Sequence, residues 1–140
     1  MRKILAILVL ALVICGCGGS DKKTVPPPQQ SQPVRLYTAE QEREMTNGFN
    51  QVMSDVLKPL YAGCSFRGLE QVKVYVTDDW NNFGKEQKSA VIDRVFKIYA
   101  GMLSVRNMKT IIQSMEIQFI LKSSNAVVGS WNSIQGVIVR

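Results

Sequence analysis

The chain predicts an α+β domain of two layers, with two amphipathic helices on one face of a mainly antiparallel sheet of about four strands. Three observations carry this expectation. Two stretches repeat apolar residues every three or four positions, several others alternate every second position, and their order along residues 35–140 reads α-β-α-β-β-β.

The first helix opens at Thr38, three residues before Gln41, a capping-box spacing in which each side chain satisfies the other's backbone N–H. Met45, Phe49, Val52, Met53, Val56, Leu57, Leu60 and Tyr61 then form one apolar stripe. Pro59 has no N–H to continue the ladder, so the helix should end or bend near Lys58. The following "AGCSFRG" reads as a turn-rich break.

"VKVYVTDDW" alternates, with Val72, Val74 and Val76 on one side and Lys73, Tyr75 and Thr77 on the other, a strand with one buried face. A second helix is expected over about residues 84–103, its apolar face built from Val91, Ile92, Val95, Phe96, Ile98, Tyr99, Met102 and Leu103. Asp93 and Lys97 are spaced for an i,i+4 pair on its opposite, solvated face. After the polar break "VRNMK", Met115, Ile117, Phe119 and Leu121 share one face of a strand, with Glu116, Gln118 and Lys122 outward. "KSSNAV" then turns into "AVVGSW", and "NSIQG" leads to a last strand "VIVR". About 105 residues with two full apolar stripes bury a workable core.

The chain begins differently. Met1-Arg2-Lys3 is positive, and Ile4 to Ile14 is an unbroken apolar run. Eleven helical residues cover about 16 Å, roughly half of a ~30 Å hydrocarbon core, so the run is too short to span and reads instead as an export signal. It ends in "ICGC", residues 14–17. With the charged start and the apolar run, this tetrapeptide closely resembles the lipobox of bacterial lipoproteins. The resemblance implies that residues 1–16 are removed as a signal peptide, that Cys17 carries diacylglycerol, and that its new amino end is acylated. Gly16 supplies the small residue before the cut, whereas Cys15 would follow bulky Ile14. Two or more acyl chains hold a protein stably at a bilayer without a membrane-spanning helix. Gly18, rather than aspartate, follows the modified cysteine. In the enterobacterial members of the family this points to the outer membrane, facing the periplasm; with a single membrane, its outer leaflet is implied.

Residues 17–34 hold four of the five prolines and almost no apolar side chains. They read as a flexible tether, about 50 Å long when extended and nearer 25 Å as a coil.

The composition excludes some chemistry. The chain has no histidine, which removes the usual general base, the Ser–His and Cys–His nucleophile pairs and the commonest nitrogen ligand for zinc. Net charge is +6; without Arg2 and Lys3, 15 basic residues face 11 acidic ones, a balance too mild to argue for nucleic acid. No cofactor, metal or catalytic set is indicated.

Cys64 is the one thiol left outside the signal and anchor, and without histidine or a CxxC it reads as a buried, unreactive cysteine. Asp78 and Asp79 lie between strand and helix, where capping explains them better than cation binding. Trp80 and Trp131 are candidates for a binding surface, against a packing role for Trp80 over the second helix's start and for Trp131 against the sheet. Lys85, Lys88, Arg94, Lys97, Arg106 and Lys109 share one third of the domain but not one helix face.

These features lead to an expected function. The chain reads as a membrane-anchored envelope lipoprotein acting as a non-enzymatic binding or structural module. Its expected partners are an envelope protein or, second to that, peptidoglycan, with no nucleic acid. The rival reading is a small carboxylate-dependent hydrolase acting on glycan through Glu70, Asp78, Asp79 or Glu116, which needs two carboxyl groups about 5–9.5 Å apart.

Overall fold

The structure, a computed structural model, describes residues 36–140; the expected signal peptide, Cys17 and the expected tether lie outside the described residues. Helix α1 spans Ala39–Val56, strand β1 Tyr61–Arg67 and strand β2 Gln71–Val76. A short 3-10 helix, Asp78–Asn82, leads into helix α2, Lys85–Val105. A second 3-10 helix, Lys109–Ser114, precedes strands β3 (Glu116–Leu121), β4 (Val127–Asn132) and β5 (Gly136–Val139).

The α+β class is as expected, with one strand more than the sequence predicts and a sheet that is mainly antiparallel but mixed, through one parallel pair. The five strands lie in the order β1-β2-β3-β4-β5. Neighbours pair antiparallel except β2 and β3, which run parallel. Parallel neighbours need a long crossover, and α2 with its two flanking 3-10 helices supplies it.

The "AGCSFRG" segment is the correction: it is the body of β1, not a break. Tyr61 to Phe66 are all partly buried and Arg67 is exposed, so burial does not alternate along the strand, and its apolar side is marked only by Ala62, Cys64 and Phe66. The ladder with β2 also shifts register between Tyr61 and Gly63. A strand at the sheet edge can be built from small and polar residues, because only one neighbour has to be matched.

Each helix starts and stops for local reasons. Thr38 Oγ1 accepts the Gln41 N–H at 3.2 Å and Gln41 Oε1 accepts the Thr38 N–H at 2.8 Å, the expected capping box. Helix α1 ends at Val56, so Leu60 and Tyr61 leave the helical stripe; Leu60 stays buried and Tyr61 begins β1. Helix α2 starts at Gly84, whose N–H is accepted by Gln87 Oε1 at 2.9 Å. Asp78 and Asp79 therefore do not cap α2; they open the separate 3-10 turn, where Asp78 Oδ1 accepts from Ser123 Oγ at 2.6 Å.

Register sorts every strand residue onto one of two faces. One row across the sheet is Phe66, Val72, Ile117, Trp131 and Val137; the next is Cys64, Val74, Phe119, Gly129 and Val139. Both rows meet the helices. Phe49 of α1 packs edge-on against Phe66 and Tyr99, at 5.6 and 5.1 Å between ring centroids, and Phe96 of α2 stacks on Trp131. Met45, Phe49 and Met53 from α1, and Ile92, Val95, Tyr99 and Leu103 from α2, are completely enclosed. Each such side chain contributes about 1.5–3 kcal/mol on burial. Gly129 lets α2 come close: a Cβ there would lie 2.6 Å from Ile92 Cδ1. Among the described residues both helices thus occupy one face of the sheet, and no helix packs on the other, where Ile120 and Ser130 are buried among their strand neighbours.

Candidate functional site

The uncovered face is built by the alternate residues of the same strands. Its rows are Gly63, Tyr75, Ile120 and Val127; then Ser65, Lys73, Gln118, Ser130 and Ile138; then Arg67, Gln71, Glu116, Asn132 and Gly136. Two of these rows are mostly polar, as the "QVKVYV" and "EIQFIL" alternation implies for a strand with one solvated side. Ser65 Oγ and Tyr75 Oη lie 3.3 Å apart.

A depression of about 450 Å³ opens where β1, β2 and β3 meet, lined by Ser65, Phe66, Arg67, Gln71, Val72, Lys73, Glu116 and Gln118. Arg67 and Lys73 have no acidic partner among the described residues; the ion pairs found there are Asp55–Lys58 and Asp93–Lys97. Glu116 Oε1 accepts from Gln118 Nε2 at 2.8 Å, which fixes the groove's one carboxylate against its own strand. The groove therefore combines two unpaired cations with amide and hydroxyl groups, an arrangement that recognises anionic oxygen.

The residues singled out from the sequence fall elsewhere. Trp80 is fully buried and stacks on Phe119 at 5.5 Å, with Lys88 Nζ 6.0 Å from its ring centroid. Its burial rules out the binding-surface role and fits the packing role, against the sheet and beside the start of α2. Trp131 belongs to the sheet and packs against a helix, with its ring 3.7 Å from that of Phe96; it keeps part of its surface at the sheet–helix boundary.

Cys64 is a free, half-buried thiol whose Sγ donates to Asn50 Oδ1 at 3.6 Å. Burial pushes its pKa up, the opposite of what a nucleophilic thiol requires. The Asn50 oxygen also accepts from Tyr61 Oη at 2.5 Å. Burial likewise raises the Tyr61 phenol far above its usual value.

The four acids of the hydrolase reading fall at the two ends of β2. Glu70 precedes β2 and Asp78 and Asp79 follow it, so on the order of 20 Å of strand separates them. Glu70 and Glu116 are neighbours through their backbones, the Glu116 N–H donating to the Glu70 carbonyl at 2.7 Å. The Glu70 side chain is held by Tyr37 Oη, which donates to Oε2 at 2.8 Å, and Glu116 by Gln118. No cluster of three or more Cys, Asp or Glu suited to a metal ion occurs among the described residues. The basic positions Lys85, Lys88, Arg94 and Lys97 lie along α2, while Arg106 and Lys109 follow its last turn.

The sequence places Lys73 and Gln118 outward but leaves Arg67 inside the "AGCSFRG" break. The missing signal was β1 itself: once Tyr61–Arg67 is a strand, Arg67 and Lys73 share a face. Comparison with family models, with curated proteins and with solved structures gave no match to this chain.

Proposed function

We propose that this chain is a lipid-anchored envelope protein that works as a non-enzymatic binding module, with the uncovered face of its sheet as the docking surface. The observation that carries the reading is the one-sided packing: both helices lie on one face, and the other presents a polar floor with a groove. The lipobox resemblance at Cys17 supplies the anchor, Gly18 suggests the outer membrane facing the periplasm, and residues 18–34 supply a tether. A partner protein of the envelope fits this floor better than peptidoglycan, because sheet faces and edges recognise extended polypeptide through their backbone periodicity.

The anchor is tested by metabolic labelling with a fatty-acid analogue. Wild type should take up label and Cys17→Ala should not; equal label on both rejects the anchor. The binding role is tested by crosslinking the intact lipidated protein in the envelope and recovering its partners. A reproducible protein partner supports it, and recovery of the chain alone contradicts it.

A further inference from the structure

Resting on this binding reading, we propose that the groove on the uncovered sheet face receives a carboxylate from an extended acidic peptide segment laid along the β1 edge. The argument begins with register. Arg67 pairs with Gln71 and Lys73 with Ser65, so the two cations stand on adjacent strands, on the same face and diagonal to each other. Diagonal neighbours lie about 7–8 Å apart at their backbones, within reach of two long side chains closing on one group.

Charge gives the sign of the ligand. Arg67 and Lys73 meet no carboxylate among the described residues, and the one acid in the groove is engaged by Gln118. Arginine offers a planar fork that matches a carboxylate with two parallel hydrogen bonds, and lysine adds a point charge beside it. Ser65 and Gln71 contribute neutral donors at the same rim. Glu116 within the floor disfavours a polyanion, whose further charges would be driven against it, and leaves room for a single acidic side chain.

The edge gives the ligand its form. Among the described residues β1 is the first strand of the sheet and ladders with β2 alone, Lys122 Nζ reaching the Ala62 carbonyl above the paired stretch, so the outer backbone groups of Cys64–Arg67 are open to another strand. Below the register shift at Gly63, the stretch from Cys64 to Arg67 pairs regularly with β2. A peptide paired with this stretch would send every second side chain toward the uncovered face. The side chain level with Arg67 would then sit over the groove, where an acid meets both cations.

The test uses the full lipidated chain in detergent micelles and a fluorescent hexapeptide of alternating valine and threonine in which one threonine is replaced by glutamate. Its glutamine counterpart, inorganic phosphate, and vesicles containing phosphatidylglycerol serve as the other arms. The glutamate peptide should bind, the glutamine peptide at least tenfold more weakly, because charge-assisted contacts carry the recognition. Arg67→Gln and Lys73→Gln should each weaken glutamate-peptide binding about tenfold. Lys97→Gln, on the exposed side of α2, should leave it unchanged, with unaltered melting temperatures showing all three variants folded. Equal binding of both peptides, or indifference to both groove substitutions, overturns the proposal. So does groove-dependent binding of phosphate or vesicles in preference to the peptide. A photo-crosslinker at Gln118 separates the two levels: capture of an envelope protein with the peptide arms negative keeps the binding reading and removes this inference.

Discussion

Phe96 of α2 and Trp131 of β4 stack face to face, their ring centroids 3.7 Å apart and their planes 12° from parallel. Trp131 pairs with Ile117 across β3 and with Val137 across β5, so the stack ties the helix to the far half of the sheet. Trp131→Ala should cost about 2 kcal/mol, less than a fully buried tryptophan because part of the ring is exposed. For a domain near 100 residues that is roughly a 10 °C fall in melting temperature. Trp131→Phe should recover about half of it. An unchanged melting temperature for the alanine variant would show that the stack contributes nothing.

The turn between β1 and β2 is locked from three sides. Tyr37 Oη accepts the Leu69 N–H at 2.8 Å while donating to Glu70, and Tyr99 Oη donates to the Leu69 carbonyl at 2.8 Å. Gly68 sits inside this lock at φ +67, and a Cβ there would lie 2.5 Å from Tyr37 Oη. Gly68→Ala should therefore cost about 1–3 kcal/mol, from backbone strain and displaced hydrogen bonds together. Urea unfolding measures it. Tyr37→Phe should cost about 1–2 kcal/mol by leaving the buried Leu69 N–H without its acceptor. A Gly68→Ala midpoint equal to wild type would contradict the geometry.

Alkaline pH should unfold this domain through its buried phenols. Burial raises the Tyr99 pKa, so the folded chain keeps a proton that the unfolded chain releases above pH ~10. A raised folded pKa gives stability that is complete below the unfolded value and lost as pH climbs above it. Stability should hold to about pH 9.5 and then fall by ~1.4 kcal/mol per pH unit from Tyr99. Tyr37 and Tyr61 act in the same direction. Urea midpoints between pH 9 and 11 measure the slope. Tyr99→Phe, though less stable throughout, should show a shallower one; an identical slope would remove Tyr99 as the cause.

The Cys64 thiol should react slowly with alkylating reagents at pH 7.5, because burial raises its pKa and Asn50 holds its Sγ. Unfolding in urea should accelerate the reaction roughly tenfold or more. Rapid alkylation of the folded protein would contradict the assignment of Cys64 as a packing residue.

The parts of the fold readable from sequence are those with strong periodicity. The Thr38–Gln41 box, the Val72–Val74–Val76 alternation, the long apolar face of α2 and the two C-terminal hairpin turns all identify their elements. Strand β1 was hard to read because "YAGCSFR" alternates only weakly, small Ala62 and Cys64 with Phe66 against Gly63, Ser65 and Arg67, and its glycine and serine resemble a turn. The parallel pairing of β2 and β3 was hidden for another reason: strand order depends on how α2 crosses the sheet, which no local pattern encodes. The groove suffered from both. Lys73 and Gln118 were legible as outward residues of their strands, but their meeting with Arg67 exists only once β1 takes its register. The packing role of Trp80 was legible, but its partner Phe119 was not, because the 3-10 turn that swings the ring inward has no periodic signature.

The most direct test is a comparison of photo-crosslinkers placed on the two sides of the domain in living cells. Probes at Lys73 and Gln118 on the uncovered sheet face should capture an envelope protein, and probes at Lys97 and Arg94 on α2 should not. Capture from the α2 positions, with none from the sheet face, would contradict the claim that the sheet is the working surface.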